Sequence, residues 1–414
     1  MNFVPYAVPV FIALILLELC WGWLKGNNTY RVNDSLNSLS LGMVSQASKL
    51  IFLNIGYLVF VQVEQGYSLG LFDSQYISHW IIGMLLYDFL YYWSHRISHE
   101  RQFFWASHVV HHQSEDFNLS TALRQTGTSF IATWLFYIPC FLLGMPISMF
   151  VSIASVQLIY QFWVHSEHIP KLGAVEWLFV TPSNHRVHHA QNADYVDKNY
   201  GGLLIVWDRL FGTFKEENEH QPAVYGIRTP LKSFNPLWAN LHIYAGMLRD
   251  AWHAQSGRDK LQVLWARTGW RPEDAAAKYP QAKADLNYFE KYNPQLSRVS
   301  NLLVIAQYLL VAAIHFWTSL QVTTGSYGLL LGASLIQIVS LVIIGAVLDG
   351  RDYARALEIS RCAVVALILY FGFSANLISV TGLNIGIVYL FISAVLMQAV
   401  IRRENRAAAV LMAG

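Results

Sequence analysis

Runs of about twenty mostly apolar residues recur along this chain and leave few folds open to it. A helix of that length spans the ~30 Å hydrocarbon core of a bilayer, and only helices or closed barrels satisfy their backbone there. Such runs fall near 3–24, 43–63, 78–93, 128–144 and 147–164, and return near 299–319, 326–348, 361–380 and 383–401. The chain is 54% hydrophobic and 13% charged, more apolar surface than one water-soluble core buries. The expectation is an all-α integral membrane protein with about nine transmembrane helices. The first run lacks a basic start and is long enough to span, so it reads as a retained helix. Gly144 and Pro146 leave open a re-entrant hairpin over 128–164.

From about 165 to 298 the chain carries most of its charge and no spanning run, which reads as a water-facing segment. Lys and Arg near a membrane prefer the cytoplasmic side. The loops 64–77, 144–146, 320–325 and 381–382 contain neither, so every basic residue falls on the other face. That puts the N-terminus outside and the C-terminus in the cytoplasm, in a bacterial inner membrane or the endoplasmic reticulum. With 28 basic and 26 acidic residues, no charge excess points to nucleic acid. Cys20, Cys140 and Cys362 each sit in an apolar stretch, so neither a disulfide framework nor a Cys-based metal site is available.

Ten of the 15 histidines lie between positions 95 and 189, and they are patterned. His95 and His99 are i and i+4 neighbours on one helix face. His108-Val109-Val110-His111-His112 and His185-Arg186-Val187-His188-His189 are two copies of one H-x-x-H-H spacing, and His165 and His168 lie between them. Neutral imidazole suits Zn, Cu, Fe and Ni, and eight to ten such ligands exceed what one ion can use, so two metals are implied. His79, His242, His253 and His315 read as hydrogen-bonded core residues, and His220 as part of a solvated loop. His168 is open between ligand and core.

Other metal chemistries fit less well. A carboxylate-bridged di-iron bundle repeats Glu-x-x-His on its helices, whereas Glu217-x-x-His220 is the only such pair and lies in a polar loop. The His-Glu-x-x-His of a zinc protease is absent. Bis-histidine haem calls for single histidines on facing helices, but His111 and His112 differ by ~100° about a helix axis. A histidine-rich metal transporter would place ligands at mid-membrane depth, whereas these boxes lie at one face.

The boxes at 95–99, 108–112 and 185–189 resemble those of the fatty acid hydroxylase / sterol desaturase superfamily. The flanks Tyr87 to Arg96, Thr181 to His189, Asp197 to Gly202 and Trp207 to Thr213 resemble it too. The resemblance implies a lipid oxidoreductase with two Fe ions that activate O2 for hydroxylation or desaturation. His99 followed by Glu100, the Gln161 to His165 segment and a multispan tail resemble the alkylglycerol monooxygenase group within it. That implies cleavage of an alkylglycerol ether bond with a tetrahydropterin as reductant. The alternative is a sterol or fatty-acyl hydroxylase or desaturase fed by a redox-protein partner.

On this reading the metal ligands are His95, His99, His108, His111, His112, His165, His185, His188 and His189, with His168 as an uncertain tenth. Glu100, Asp88 and Asn184 are candidates to orient ligand imidazoles, since metal-bound histidines usually donate their free N–H to a carboxylate or other acceptor. Asp197 and Asn199 are further candidates, and a solvated charge or helix cap is the alternative for the acids. Tyr87, Tyr91, Tyr92, Trp93, Phe103, Phe104 and Trp105 line a lipid slot or form an interfacial belt. Arg124, Arg186 and Arg228 are candidates to steer an anionic headgroup or cofactor. The expected organisation is N-terminal transmembrane helices (1–74), a di-metal catalytic domain (75–230), a cytoplasmic connecting segment (231–298) and a four-helix transmembrane extension (299–414).

Overall fold

A computed structural model describes residues 2–52, 55–322, 327–375 and 378–413. The chain runs through α1 (Val4–Lys25), α2 (Val32–Ile51), α3 (Ile55–Tyr67), α4 (Ile77–Glu100), α5 (Gln102–His112), α6 (Leu119–Ala122), α7 (Ile138–Leu142) and α8 (Ile147–Trp163). It continues through α9 (Pro182–His189), α10 (Val206–Leu210), α11 (Pro236–His253), α12 (Gly257–Trp265) and α13 (Glu273–Lys278), and ends in α14 (Arg298–Leu320), α15 (Tyr327–Leu348), α16 (Ala354–Ser374) and α17 (Val380–Ala413). Among the described residues there are isolated β-bridges but no strand.

Among the described residues, five helices are long and apolar enough to cross a membrane: Val4–Lys25, Arg298–Leu320, Leu330–Leu348, Ala354–Ser374 and Gly382–Glu404. Counting α2 and α3 as one broken span makes six. The other expected spans take shorter or less apolar forms. Residues 78–93 lie in α4, whose last turns carry His95, Arg96, His99 and Glu100. Residues 128–144 break into two 3-10 turns and the five-residue α7, which starts at Ile138-Pro139. The helix α8 has 17 residues, a length of about 26 Å at 1.5 Å per residue. Residues 53–54 of the 43–63 run, 323–326 of the 320–325 loop and of the 326–348 run, and 376–377 of the 361–380 run lie outside the described residues.

The chain divides into two units: residues 1–31, 52–231 and 240–291, and residues 32–51, 232–239 and 292–414. In the second, α2 packs with α14 to α17 around Met43, Val44, Val304, Val311, Leu341, Ile344, Met397 and Val400. This bundle also buries a polar network. Arg361 pairs with Glu358 at 2.6 and 2.9 Å and donates to the Tyr389 hydroxyl at 3.0 Å and to Ser393 Oγ at 2.6 Å. A charge among apolar helices persists only when so paired.

In the first unit, α4 packs on α3, α7 and α8 through Phe60, Tyr87, Phe141, Met145, Met149 and Ile153. Its far end turns sharply at Arg101, whose backbone is extended (φ −124°, ψ 124°) between two helices. That corner folds α5 back beside α4. The chain from 265 to 268 holds it: Gln102 N–H donates to the Ala266 carbonyl and Thr268 N–H to the Glu100 carbonyl, at 3.1 and 3.3 Å.

Candidate metal centre

The turn at Arg101 sets His95 and His99 of α4 against His108, His111 and His112 of α5. The short helix α9 is then laid across them. Its N-terminus is fixed by a capping box between Thr181 and Asn184 with Pro182 in the first turn, an arrangement that satisfies otherwise unpaired backbone N–H groups. His165 follows the last turn of α8 and folds back, its Nδ1 2.8 Å from the Gln161 carbonyl.

Nine of the ten patterned histidines thereby fall into two groups. His95, His99, His108, His112 and His188 form one, and His111, His165, His185 and His189 the other, with one ring nitrogen from each histidine of a group within 4.8 Å of those of the rest. The groups abut: the His112 and His189 ring centroids are 4.3 Å apart, and those of His185 and His188 5.2 Å. His168 belongs to neither, its ring lying beside Gly22 of α1. His79 accepts from Asp73 N–H, His253 pairs with the Tyr279 hydroxyl and His315 with Gln337, as hydrogen-bonded histidines do.

Tautomers test whether a cation fits. A carbonyl only accepts, so an imidazole nitrogen bonded to one carries the proton, and the other nitrogen of the neutral ring presents a lone pair. His111 Nδ1 lies 3.0 Å from the Arg124 carbonyl and His165 Nδ1 2.8 Å from that of Gln161, yet their Nε2 atoms face each other at 3.2 Å. Two lone pairs at that distance repel. His95 and His188 are set the same way by the Tyr200 and Lys198 carbonyls, at 2.7 and 2.9 Å, and His188 Nε2 is buried with no hydrogen-bond partner. Protonation is no remedy, because burial pushes His95 down to about 3, His111 down to about 4, and the other seven well below the usual imidazole range. Neighbouring Nε2 atoms stand 2.9–3.2 Å apart. Nitrogens about 2.1 Å from a common ion and about 90° apart would have a separation of ~3 Å. The donor set therefore fits two imidazole-bound metal ions.

The acids expected to orient these rings do other things. Asp88 touches no imidazole. Its carboxylate accepts from Gln157 Nε2, the Leu203 and Leu204 N–H groups and Trp207 Nε1, at 2.9–3.1 Å, because α4 points it at the loop after Gly202 rather than at α5. Glu100 accepts from Arg96 at 2.8 Å, an i,i+4 surface pair. Asn184 caps α9. Asp197 comes nearest, 4.0 Å from His99 Nδ1, on backbone with φ of +59°. Asn199 joins the Asn184 and Lys215 carbonyls.

Four of the nine rings, those of His111, His165, His188 and His95, are oriented instead by the backbone carbonyls of Arg124, Gln161, Lys198 and Tyr200. Asp208 supports one of them, accepting from the Tyr200 and Gly201 N–H groups and from Thr213 Oγ1, all at 2.7 Å. The loop passes so close to α4 and α8 that a Cβ at Gly202 would sit 2.2 Å from Gln157 Nε2 and 2.7 Å from the Tyr91 ring, so only glycine fits. A signal for these roles was available in the Asp197 to Gly202 and Trp207 to Thr213 signatures, but a carbonyl role is invisible in residue type.

The aromatic patch divides. Tyr91 and Trp105 pack 5.3 and 5.2 Å from the His95 and His99 rings, joined by Phe117 and Tyr200. Tyr87 stacks on Tyr137, Trp93 and Tyr92 contact Phe211, and Phe104 contacts Phe136. Phe103 joins the small core of α5, α11 and α12. Arg186 is occupied by Glu217, at 2.7 Å from both carboxylate oxygens, and by the Ser166 and Ile169 carbonyls. Arg124 is buried and donates to the Val110 carbonyl, while Arg228 is exposed.

The lowered imidazole values carry a pH dependence. Above about 6.5 both folded and unfolded chains hold neutral histidines, and below it the unfolded chain takes up protons that the folded site refuses. Stripped of metal, the protein should lose stability as pH falls below about 6.5, the loss continuing toward the folded values of about 4 and 3 for His111 and His95. Thermal unfolding of chelator-treated protein from about pH 8 to pH 5 reads this directly, and a Tm that does not fall would contradict it.

Residues 80–213 match the fatty acid hydroxylase family. The chain is 36% identical over 379 residues to alkylglycerol monooxygenase of Danio rerio and 35% over 373 residues to that of Homo sapiens, in each case across 90% of this chain and 83% of the relative. It is 30% identical over 148 residues to ornithine lipid hydroxylase OlsE of Rhizobium tropici, covering 36% of this chain and 45% of that one. No solved structure matches. Likeness along nine-tenths of the sequence takes in the apolar tail as well as the histidine boxes, and on that ground this membrane protein belongs to the alkylglycerol monooxygenase family.

Proposed function

We propose that the chain is a monooxygenase that hydroxylates the carbon next to the ether oxygen of an alkylglycerol, with O2 as oxidant and a tetrahydropterin as electron donor. One oxygen atom enters the C–H bond and the other leaves as water with two electrons and two protons. The hemiacetal so formed breaks to a fatty aldehyde and a glycerol derivative. The observation that carries the reading is the pair of abutting all-imidazole groups, found in a chain similar throughout its length to proteins of that name.

In this reading His95, His99, His108, His112 and His188 hold one iron and His111, His165, His185 and His189 the other. When bound, the two irons supply the activation of dioxygen. The chain's own groups do the rest. The carbonyls of Arg124, Gln161, Lys198 and Tyr200 hold Nδ1 protonated and Nε2 pointed inward, while Tyr91, Trp105, Phe117 and Tyr200 pack about the rings and keep water from them. Asp197, 4.0 Å from His99 Nδ1, is the candidate to orient that ring. The topology that accompanies this reading has about nine spans, the N-terminus outside and the C-terminus in the cytoplasm, and the four-part division at 74, 230 and 298.

Two assays test it. Elemental analysis of the purified protein should give two iron ions per chain, and a reproducible value near one, or bound haem, would overturn the dinuclear reading. Tetrahydropterin should be compared with a ferredoxin or cytochrome system on ether lipids, sterols and acyl lipids in parallel. Aldehyde release from an alkylglycerol with the pterin is expected. Turnover only with the protein reductant on a non-ether lipid would transfer the chain to the sterol or acyl class.

A further inference from the structure

The segment 165–298 carries most of the charge, yet part of it turns apolar side chains outward. Along α11, Leu241, Ala245, Leu248 and Trp252 stand at i, i+4, i+7 and i+11, one stripe of a helix. All four are exposed, Leu248 by 69% and Trp252 by 81%. The neighbouring α12 adds Leu261, Leu264 and Trp265, at i, i+3 and i+4 and also exposed. The opposite faces are committed: Ile243, Tyr244, Met247 and Ala251 pack with Val263 on Phe103 and Ala106 of α5.

Two observations say what covers the bare face. The first is continuity with apolar surface. Asn240 Oδ1 accepts from Gly127 N–H at 2.7 Å, which sets this end of α11 against the start of the 128–144 run, whose Ile131, Leu135 and Leu142 are also turned outward. The second is charge. Residues 240–278 carry Arg249, Arg258, Lys260, Arg267, Arg271 and Lys278 against Asp250, Asp259, Glu273 and Asp274, a net of two positive charges. Arg258, Lys260 and Arg267 are exposed beside the apolar stripe. A second copy of so basic a face would repel the first. Anionic lipid headgroups would attract it, and Trp and Leu beside Arg and Lys is the composition of a helix lying in the membrane interface.

We propose that α11 and α12 form an interfacial anchor, with Leu241, Leu248, Trp252, Leu261, Leu264 and Trp265 set into the headgroup boundary of the bilayer. The anchor ties the catalytic corner to the lipid surface, since the chain at 266–268 is hydrogen-bonded to Glu100 and Gln102 between the first two histidine boxes. The buried faces of α11 and α12 pack on α5, which bears His108, His111 and His112. The anchor does not depend on which lipid is oxidised.

The test uses the full chain in vesicles of mixed neutral and anionic phospholipid. Single nitroxides are placed through Leu248→Cys, Trp252→Cys and Leu264→Cys, with Gln255→Cys in the connecting turn as reference. Cys20 is replaced by Ser, and the spectrum of that background is subtracted. The expected result is a ratio of oxygen to nickel-chelate accessibility at 248, 252 and 264 at least about threefold above that at 255, as burial ~5–10 Å into the boundary demands. Equal ratios would mean water covers the face and would overturn the proposal. Dipolar broadening between labels on different chains would overturn it in favour of a second copy. Leu248 and Leu264 lie on the outward face, so these two labels carry the result should Trp252→Cys disturb folding.

Discussion

His188→Ala should abolish turnover and lower bound metal while leaving the chain fully inserted in the membrane. The His188 ring lies 4.4, 4.7 and 4.8 Å from those of His95, His99 and His112, and 5.3 Å from that of His189 in the other group, so it stands where the two groups meet. Its Nε2 has no hydrogen-bond partner among the described residues and its Nδ1 is held by the Lys198 carbonyl, so an aimed lone pair is removed rather than a loose side chain. The loss should exceed the ~10–100-fold that removal of an orienting partner costs a metal site. Insertion depends on the apolar spans, which the change leaves alone. Activity, iron content and membrane fractionation of the variant measure the three consequences. His168→Ala is the comparison: it lies outside both groups and should keep its iron. Full activity in His188→Ala would remove that residue from the ligand set.

Asp88→Ala should be the most destabilising single change near the site, although Asp88 touches no histidine. It would leave Gln157, Leu203, Leu204 and Trp207 with four donors aimed at nothing in a buried place. Orphaned buried donors cost ~1–3 kcal/mol each before relaxation, so a net loss of about 3–5 kcal/mol is expected. Asp88→Asn keeps one acceptor oxygen and should lose less. The damage should also reach the metal, because the loosened loop includes Tyr200, whose carbonyl holds His95. A lower Tm together with reduced iron is the expected pair of readings. A normal Tm would show that the four donors find other partners.

Much of the candidate site was legible because imidazole is scarce and its spacing is local. An i,i+4 pair or an H-x-x-H-H box declares one helix face within a single turn. The role of Asp88 was misjudged for a local reason too: seven residues before His95 is two helical turns, which allows a shared face but does not say what lies opposite. What lies opposite is the Leu203–Trp207 loop, more than a hundred residues later. The 128–144 run likewise has the hydropathy of a span and the geometry of broken turns, since hydropathy averages over Pro139 and backbone geometry does not.

By itself the sequence determined that the chain is helical and membrane-bound, through the length of its apolar runs, and which histidines gather, through their spacing. Only the tertiary structure decided how those histidines divide into two groups. That division depends on the turn at Arg101 and the lay of α9, which are held by contacts between residues far apart in the chain. It also decided that backbone carbonyls orient four of the rings, those of His95, His111, His165 and His188. Every residue carries a carbonyl, so no residue type marks the one that will meet an imidazole, and its partner is chosen only when the chain has folded.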